Sequence, residues 1–163
     1  MIKVGSLFSG IGGLDLGLER AGMKVKWMCE IDPYCRKVLK KHWPNVPCFE
    51  DITTVDFKAV EPVDLICGGF PCQDLSYAGK RIGLKGERSG LFYELMRAVC
   101  DIRPKYVLLE NVPGLLTLGM GAVLGELTAL GYDAEWESIP AAAFGAPHLR
   151  YRVFIVGYPQ RCG

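Results

Sequence analysis

The sequence lacks any apolar run as long as the roughly 18 residues that a membrane-spanning helix requires. Its first residues lead directly into a strand-like segment, without the apolar stretch of a signal peptide. The net charge is only +1 at pH 7, so the composition as a whole predicts binding neither to a membrane surface nor to a nucleic acid. These absences predict a cytoplasmic protein in which any polyanion is bound by a local group of basic residues.

The sequence also lacks any Cys-x-x-Cys pair, although it contains seven cysteines. An odd number of cysteines without paired spacing is typical of reduced thiols rather than of a disulfide framework. Cys35, His42 and Cys48 come nearest to a zinc-binding set, but their spacing matches none of the usual patterns. We therefore predict no metal site.

Half of the 163 residues are apolar and no internal repeat or linker interrupts them, so we predict one domain over residues 1–163. Short β-branched runs alternate with segments of helical periodicity, which is typical of a mostly parallel α/β sheet with helices on both faces. The predicted strands cover residues 3–8, 25–30, 47–49, 63–67, 106–110, 134–139 and 152–156. The predicted helices cover residues 14–21, 33–42, 90–102 and 120–130.

Unusual residues follow the carboxyl ends of five predicted strands. In an open sheet of this kind ligands bind outside these ends, so the residues found there are candidates for a site. We expect them to line one rim of the sheet. They are the stretch FSGIGG at residues 8–13, Glu30, Asp51, the Pro71-Cys72 dipeptide and Glu110-Asn111.

The glycine-rich stretch and Glu30 together predict a nucleoside site. Glycines let the backbone approach a ligand closely and leave amide donors free, and an acidic residue at the end of the second strand can accept from both ribose hydroxyls. Asp51 can accept from an adenine amino group, with Ile31 and Ile52 against the faces of the ring. The alternatives are a tight strand–helix turn with a solvated glutamate, and a helix N-cap at Asp51.

Cys72 and Glu110 are the candidates for chemistry. Turn-forming residues flank Cys72, so its sulfur is expected to be accessible, as a nucleophile must be; the alternative is a buried thiol that fills a gap. Glu110 ends a strand apolar enough to be buried on both faces, and removal from water favours the protonated form of a carboxyl group. The alternative for Glu110 is an ion pair with Arg150 or Arg152.

The order and spacing of these motifs resemble those of the cytosine-5 DNA methyltransferases over essentially the whole chain. The matching motifs are FSGIGG, Glu30, Asp51, the Pro-Cys of GGFPCQDLS, the ENV of residues 110–112 and the HLRYRVFIVG of residues 148–157. The resemblance implies a class I, Rossmann-like methyltransferase fold that binds S-adenosylmethionine (SAM) on the predicted rim and releases S-adenosylhomocysteine. The matching cofactor positions are Phe8, Gly10, Ile11, Gly13, Glu30, Ile31, Asp51, Ile52, Pro71 and Leu91.

The resemblance also implies how a methyl group reaches DNA. Cytosine C5 is a poor nucleophile, and addition of the Cys72 thiolate to C6 makes C5 enamine-like. Glu110 matches the residue that protonates or hydrogen-bonds N3. Arg152 matches the residue that holds the cytosine O2, and Arg150 matches its neighbour.

A double-stranded DNA substrate implies base flipping, because the target atom lies inside the duplex. Residues 68–89 form the longest stretch without periodicity, and the part from residue 73 matches the segment that closes over the flipped base. We expect a restriction–modification enzyme of a prokaryotic or phage-like cytoplasm. The candidate DNA contacts are Gln73, Ser76, Lys80, Arg81, Lys85 and Arg88.

Two features depart from the family pattern. His148 stands where family members usually have glutamine, and the sequence stops at Gly163, where the family continues into a target-recognition domain and a final helix. We therefore expect a catalytic domain, with a second polypeptide as the candidate partner for target recognition. The alternatives are a truncated, non-catalytic module that binds SAM or a partner, and an RNA (tRNA) cytosine-5 methyltransferase of the same fold.

Overall fold

A seven-stranded sheet organises the part of the chain that the structure describes, residues 1–71 and 90–160 of a computed structural model. Its strands follow the order β3-β2-β1-β4-β5-β7-β6, and all neighbours are parallel except the pairs that β7 makes with β5 and β6. The predicted sheet is confirmed. The strands are β1 (Lys3–Leu7), β2 (Lys24–Cys29), β3 (Cys48–Phe49), β4 (Leu65–Gly69), β5 (Tyr106–Asn111), β6 (Tyr132–Pro140) and β7 (Tyr151–Pro159).

Helices lie at all the positions where periodicity predicts them. The N-terminus of α2 shows why: Pro33 opens the helix, and the Asp32 side chain accepts a hydrogen bond of 2.9 Å from Cys35 N, as an N-cap does. Periodicity does not predict α4, because a helix of one turn is too short to show it. The helices are α1 (Gly13–Arg20), α2 (Pro33–His42), α3 (Leu91–Ile102), α4 (Leu115–Leu118) and α5 (Met120–Ala129), with 3₁₀ turns at Ile52–Thr54 and Ala141–Phe144.

The strand boundaries differ from the predicted ones near the candidate site. β4 starts later than predicted and continues through Gly68 and Gly69, which pair with Leu109 and Glu110 of β5. Glycine has low strand propensity, so local sequence ends the strand too early, whereas the ladder with β5 extends it. β6 and β7 also exceed their predicted lengths, because they pair with each other along their full length.

Two apolar clusters lie on opposite faces of the sheet. The larger core packs α3 and α5 against one face, with Leu95 and Leu127 fully buried, and the smaller core packs α1 and α2 against the other, with Leu18 and Leu39 buried. Helices therefore cover both faces, as the sequence predicts. Gly5 of β1 packs directly against the Trp27 ring of the larger core. A Cβ at this position would lie 2.1 Å from that ring, so the contact requires glycine.

The crevice that this topology creates lies between β1 and β4. These strands are adjacent in the sheet although β2 and β3 separate them in the sequence, so the winding of the chain reverses there. Ligands of doubly wound sheets bind at such a point, outside the carboxyl ends of the strands.

None of the helices within residues 1–71 and 90–160 has the length and apolar character needed to cross a membrane.

Candidate active site

The glycine-rich turn between β1 and α1 has an unusual backbone. Phe8 has a φ of 54°, Gly10 of 55° and Gly12 of 85°, all in the left-handed region that favours glycine. Gly12 N donates to Ser9 O at 2.9 Å, which closes the turn on itself. A non-glycine residue such as Phe8 in this region stores strain, and strained positions of this kind concentrate at binding sites.

Glu30 ties this turn to the end of β2. Its Oε2 accepts a hydrogen bond of 2.7 Å from Gly10 N, and its Oε1 accepts one of 2.8 Å from Asp32 N. The side chain is buried, and each carboxylate oxygen keeps a second lone pair. Glu30 therefore shapes the turn and still has acceptor positions for hydroxyl groups, so the alternative of a solvated glutamate is wrong.

Asp51 caps the 3₁₀ turn that follows β3. Its Oδ1 accepts from Thr53 N at 2.9 Å and from Thr53 Oγ1 at 2.8 Å, and the backbone hydrogen bond is the main cause that lowers the pKa of Asp51. The N-cap alternative is thus realised. Asp51 also lines a cavity of about 580 Å³, with Phe49 and Thr54 among the other lining residues.

The apolar positions predicted to contact a cofactor differ in exposure. Ile31 and Ile11 are 70% and 61% exposed, whereas Ile52 is 5% exposed and belongs to the larger core. Leu91 opens α3 and is partly exposed. Ile31 can therefore present a face to a ligand, whereas Ile52 presents little surface and mainly anchors its turn.

A second cavity, of about 530 Å³, joins the glycine-rich turn to the catalytic candidates. Its two sides come from distant parts of the sequence, because the carboxyl ends of β1, β4 and β5 and the start of β7 converge there. The residues that matter most are Phe8, Gly13, Gly69, Glu110, Arg150 and Arg152.

Glu110 and Arg152 form an ion pair in this cavity, with 2.7 Å between Arg152 Nε and Glu110 Oε1. The predicted alternative of an arginine partner is confirmed, and the partner is Arg152. Arg152 Nη1 donates to Tyr151 O at 2.8 Å, while Nη2 has no partner within residues 1–71 and 90–160. The guanidinium thus keeps free N–H donors beside the carboxylate.

Gly69 leaves the room that Glu110 occupies. A Cβ at this position would lie 2.7 Å from Glu110 Oε2, closer than real Cβ atoms come to a neighbour. Because Arg152 holds Oε1 and Gly69 lies against Oε2, the carboxylate is held from both sides. The ENV motif therefore depends on a glycine that is distant in the sequence.

Asn111, at the end of β5, lies beside the site, and the sequence motifs predict no role for it. Its Nδ2 donates to Phe70 O at 2.9 Å and its Oδ1 accepts from Val112 N at 2.9 Å, and the side chain is buried. These bonds hold the backbone that leads to Pro71 and Cys72. A polar residue at the end of an apolar strand was the available signal.

Several candidates lie outside the described residues. Pro71 is the last described residue before them and is exposed. The candidates for which the structure gives no position are Cys72, Gln73, Ser76, Lys80, Arg81, Lys85 and Arg88.

The buried cysteines in the described part do not suit nucleophilic chemistry. Burial raises the pKa of Cys29 to about 12 and raises the pKa of Cys67 strongly as well, so both remain thiols at neutral pH. No group of three potential ligands that could hold a metal ion occurs within residues 1–71 and 90–160. Cys29 and Cys67 are therefore poor candidates for the nucleophile, and the assignment of Cys72 stays a prediction from the sequence.

Comparison with known families and curated proteins gives a consistent result. A family model described as "C-5 cytosine-specific DNA methylase" matches residues 2–162. The type II methyltransferase M2.BsuMI of Bacillus subtilis is 40% identical, with 95% of this chain and 41% of the relative aligned. M.Eco47II of Escherichia coli is 43% identical, with 92% and 38% aligned. This chain spans about two fifths of the length of both relatives.

A shorter relative and two solved structures extend the comparison. The type II methyltransferase M.AquIA of Picosynechococcus is 36% identical, with 95% of this chain and 71% of the relative aligned. A crystal structure described as a DNA modification methyltransferase from an E. coli prophage has a TM-score of 0.78 at 31% identity, covering 98% of this chain and 47% of that one. S. pombe Dnmt2 has a TM-score of 0.78 at 22% identity, covering 100% and 50%, and shares the fold.

Proposed function

Because the chain belongs to the C-5 cytosine-specific DNA methylase family, we propose that it carries the catalytic domain of a DNA cytosine-5 methyltransferase. The observation that carries this proposal is the cavity of about 530 Å³ that joins the glycine-rich turn to the Glu110–Arg152 pair. One side of the cavity suits a cofactor and the other suits a base. A methyl donor and a methyl acceptor can therefore meet within it.

The residues of the rim suit SAM, which supplies an electrophilic methyl group and leaves as S-adenosylhomocysteine. The two cavities along the rim, of about 530 Å³ and about 580 Å³, each lie within the range of ligand pockets, roughly 300–1,000 Å³. Glu30 keeps lone pairs for the ribose hydroxyls, Asp51 keeps Oδ2 for the adenine amino group, and Ile31 offers an exposed apolar face. Phe8, Gly10, Ile11, Gly13, Ile52, Pro71 and Leu91 complete the proposed cofactor contacts.

The chain's own groups then carry the reaction on cytosine. The Cys72 thiolate adds to C6 while Glu110, in its protonated form, donates its proton or a hydrogen bond to N3, which places electron density on C5. Arg152, with Arg150 beside it, holds O2 through its free N–H donors. After methyl transfer to C5, loss of the C5 proton expels the Cys72 thiolate from C6 and restores the aromatic ring.

The proposed substrate is double-stranded DNA with the target cytosine flipped out of the helix. Gln73, Ser76, Lys80, Arg81, Lys85 and Arg88 are the proposed DNA contacts, and four of these side chains are cationic. We propose a role in restriction–modification in a prokaryotic cytoplasm. Target recognition would then come from sequence outside these 163 residues or from a second polypeptide.

The first test is covalent trapping of the chain on DNA that contains 5-fluorocytosine, together with transfer of labelled methyl from SAM to mixed-sequence DNA. Fluorine replaces the C5 hydrogen whose loss as a proton would release the cysteine, and fluorine cannot leave in its place, so the adduct persists. Cys72→Ser should abolish both signals while SAM affinity stays within about twofold, because only the nucleophile is removed.

Cys100→Ser is the matched control, because Cys100 is an exposed thiol outside the site. This variant should keep both signals. If the chain alone gives no signal, addition of a polypeptide with a target-recognition domain should restore it. Trapping by the Cys72→Ser variant would refute the assigned nucleophile, and absence of trapping in every combination would refute the proposed activity.

A further inference from the structure

Arg97, in the middle of α3, connects this helix to the segment that follows β3. Its Nη2 donates to Ile52 O at 2.7 Å and its Nη1 donates to Val55 O at 3.0 Å. The guanidinium also lies 4.9 Å from the centre of the Phe57 ring. One side chain thus holds three residues of a segment that lies forty or more positions away in the sequence.

The segment that Arg97 holds is the one that Asp51 caps. The two carbonyls belong to the first residue of the 3₁₀ turn and to the residue just after its end, so the guanidinium spans the turn. Arg97 Nε is occupied as well, by Glu94 Oε2 at 2.7 Å. A planar guanidinium with all its nitrogens engaged fixes the distance and orientation of its partners, which a lysine ammonium cannot do.

We propose that Arg97 is a positioning residue for the adenine end of the SAM pocket. It holds the Asp51–Ile52 backbone against α3, whose first residue, Leu91, is another proposed cofactor contact. Val55, which accepts a hydrogen bond from Arg97, lines the cavity at Asp51, so Arg97 acts on that cavity through the backbone that it holds. This inference rests on the proposed function, because it assigns adenine to the Asp51 end of the rim.

The other contacts of Arg97 do not account for its arrangement. Glu94 and Asp101 lie three residues before it and four after it on the same helix, and partly exposed pairs at this spacing stabilise a helix only slightly. The contacts with Ile52, Val55 and Phe57 reach across to another element. We conclude that the interactions between α3 and the segment after β3 are the ones that affect the pocket.

The test compares two ligands that differ only at the base. S-adenosylhomocysteine carries the adenine amino group that Asp51 would accept from, and S-inosylhomocysteine carries a carbonyl oxygen at that position. Calorimetric titration of the full chain should show a clear preference for S-adenosylhomocysteine. In Arg97→Lys and Arg97→Gln we expect that preference to fall about tenfold, because Asp51 is no longer held in place.

Arg103→Lys is the matched control, because Arg103 makes the same kinds of contact just after the C-terminal end of α3. Its Nη1 donates to Leu130 O at 2.8 Å and its guanidinium lies 5.9 Å from the centre of the Tyr132 ring. This substitution should lower the midpoint of thermal unfolding without changing the ligand preference. Glu94→Gln should also leave the preference unchanged, because the glutamine oxygen can still accept from Arg97 Nε and only the negative charge is lost.

The outcomes separate this inference from the proposed function. If the unmodified chain prefers S-adenosylhomocysteine and the Arg97 variants keep the same preference, the positioning role is wrong and the proposed function stands. A control variant that loses the preference as strongly as the Arg97 variants would also refute the specific role. If the unmodified chain binds neither ligand, the SAM site is refuted and the role of Arg97 with it.

Discussion

The two sides of the rim are built in different ways. On the cofactor side, at the ends of β1, β2 and β3, backbone amides satisfy the carboxylates: Glu30 accepts from Gly10 and Asp32, and Asp51 accepts from Thr53. On the catalytic side, at the ends of β4 and β5 and the start of β7, the carboxylate of Glu110 is paired with a side chain, Arg152.

This difference suits ligand binding on the cofactor side and the reaction on the catalytic side. A carboxylate bonded to backbone amides cannot move without distorting the fold, so its position is set before any ligand binds. A carboxyl group whose partner is a side chain can shift to meet a base, because no backbone amide holds it within the described residues. We therefore expect changes on the cofactor side to alter affinity and stability together, and changes on the catalytic side to alter the reaction alone.

The largest expected effect that tests this comparison comes from Gly69→Ala on the catalytic side. The added methyl group would lie 2.7 Å from Glu110 Oε2, so the carboxylate must move and Arg152 must follow. A displacement of about 1 Å can reduce a reaction rate by roughly 100-fold. We expect that loss in the rate of trapping on 5-fluorocytosine DNA, with SAM affinity and thermal stability nearly unchanged.

Gly121→Ala is the control for this prediction, because Gly121 lies in a helix and a Cβ there would meet nothing within 4 Å. It should trap DNA at the normal rate. An equal loss of SAM affinity and trapping rate in Gly69→Ala would contradict the separation between the two sides of the rim.

A smaller effect is expected from Glu30→Gln on the cofactor side. The carboxylate accepts from two backbone amides, whereas a glutamine side chain offers one acceptor oxygen and an NH₂ group that faces an N–H. Hydrogen bonds to a charged group contribute roughly 1.5–3 kcal/mol each. We expect SAM affinity to fall about tenfold or more and stability to fall by about 1–2 kcal/mol, as measured by calorimetry and urea unfolding.

The exposed Glu50 provides the comparison for Glu30→Gln. Its Oε1 lies 3.3 Å from Arg36 Nη2, and 74% of its side chain is exposed, so Glu50→Gln should not change stability measurably. If Glu30→Gln changed affinity but left stability at the level of the unmodified chain, affinity and stability would not be linked on the cofactor side.

The smallest expected effect, on stability, comes from Asp15. This residue lies in α1, the helix that follows the glycine-rich turn of the cofactor side. It is fully buried on α1, and neither of its oxygens has a hydrogen-bond partner of good geometry within the described residues. Burial raises its pKa, a nearby Ser6 hydroxyl opposes this in part, and the charge of Glu19 adds to the rise.

The pH dependence follows from the direction of that shift. Between the unfolded and the folded pKa of Asp15 the folded chain binds the proton and the unfolded chain does not, so the free energy of unfolding falls as pH rises through this interval. Asp15→Asn should remove this contribution, so the variant should be more stable at pH 7 than the unmodified chain. Urea unfolding at pH 4 and pH 7 measures the free energy of unfolding of both chains, with Asp133→Asn, a change at an exposed residue, as the control. An unchanged pH dependence in Asp15→Asn would contradict the assignment.

Much of the fold and part of the site could be predicted from the residues alone. The periodicity of α2 over residues 33–42 coincides with the helix in the structure, because Pro33 and the Asp32 cap are local signals. The rim could also be predicted, because parallel strands bring their carboxyl ends to one edge whatever the details of packing. Their place at strand ends therefore makes Glu30, Asp51 and Glu110 candidates from the sequence alone.

The partners of these residues depend instead on contacts between distant segments. Arg152 rather than Arg150 meets Glu110 because the antiparallel register of β5 and β7 brings this end of β7 to the carboxyl end of β5, and no local pattern specifies a register. The burial of Ile52, the room at Gly69 and the contacts of Arg97 have the same origin. Local sequence can specify which residues end a strand, but only the packing of strands and helices sets which side chains they meet.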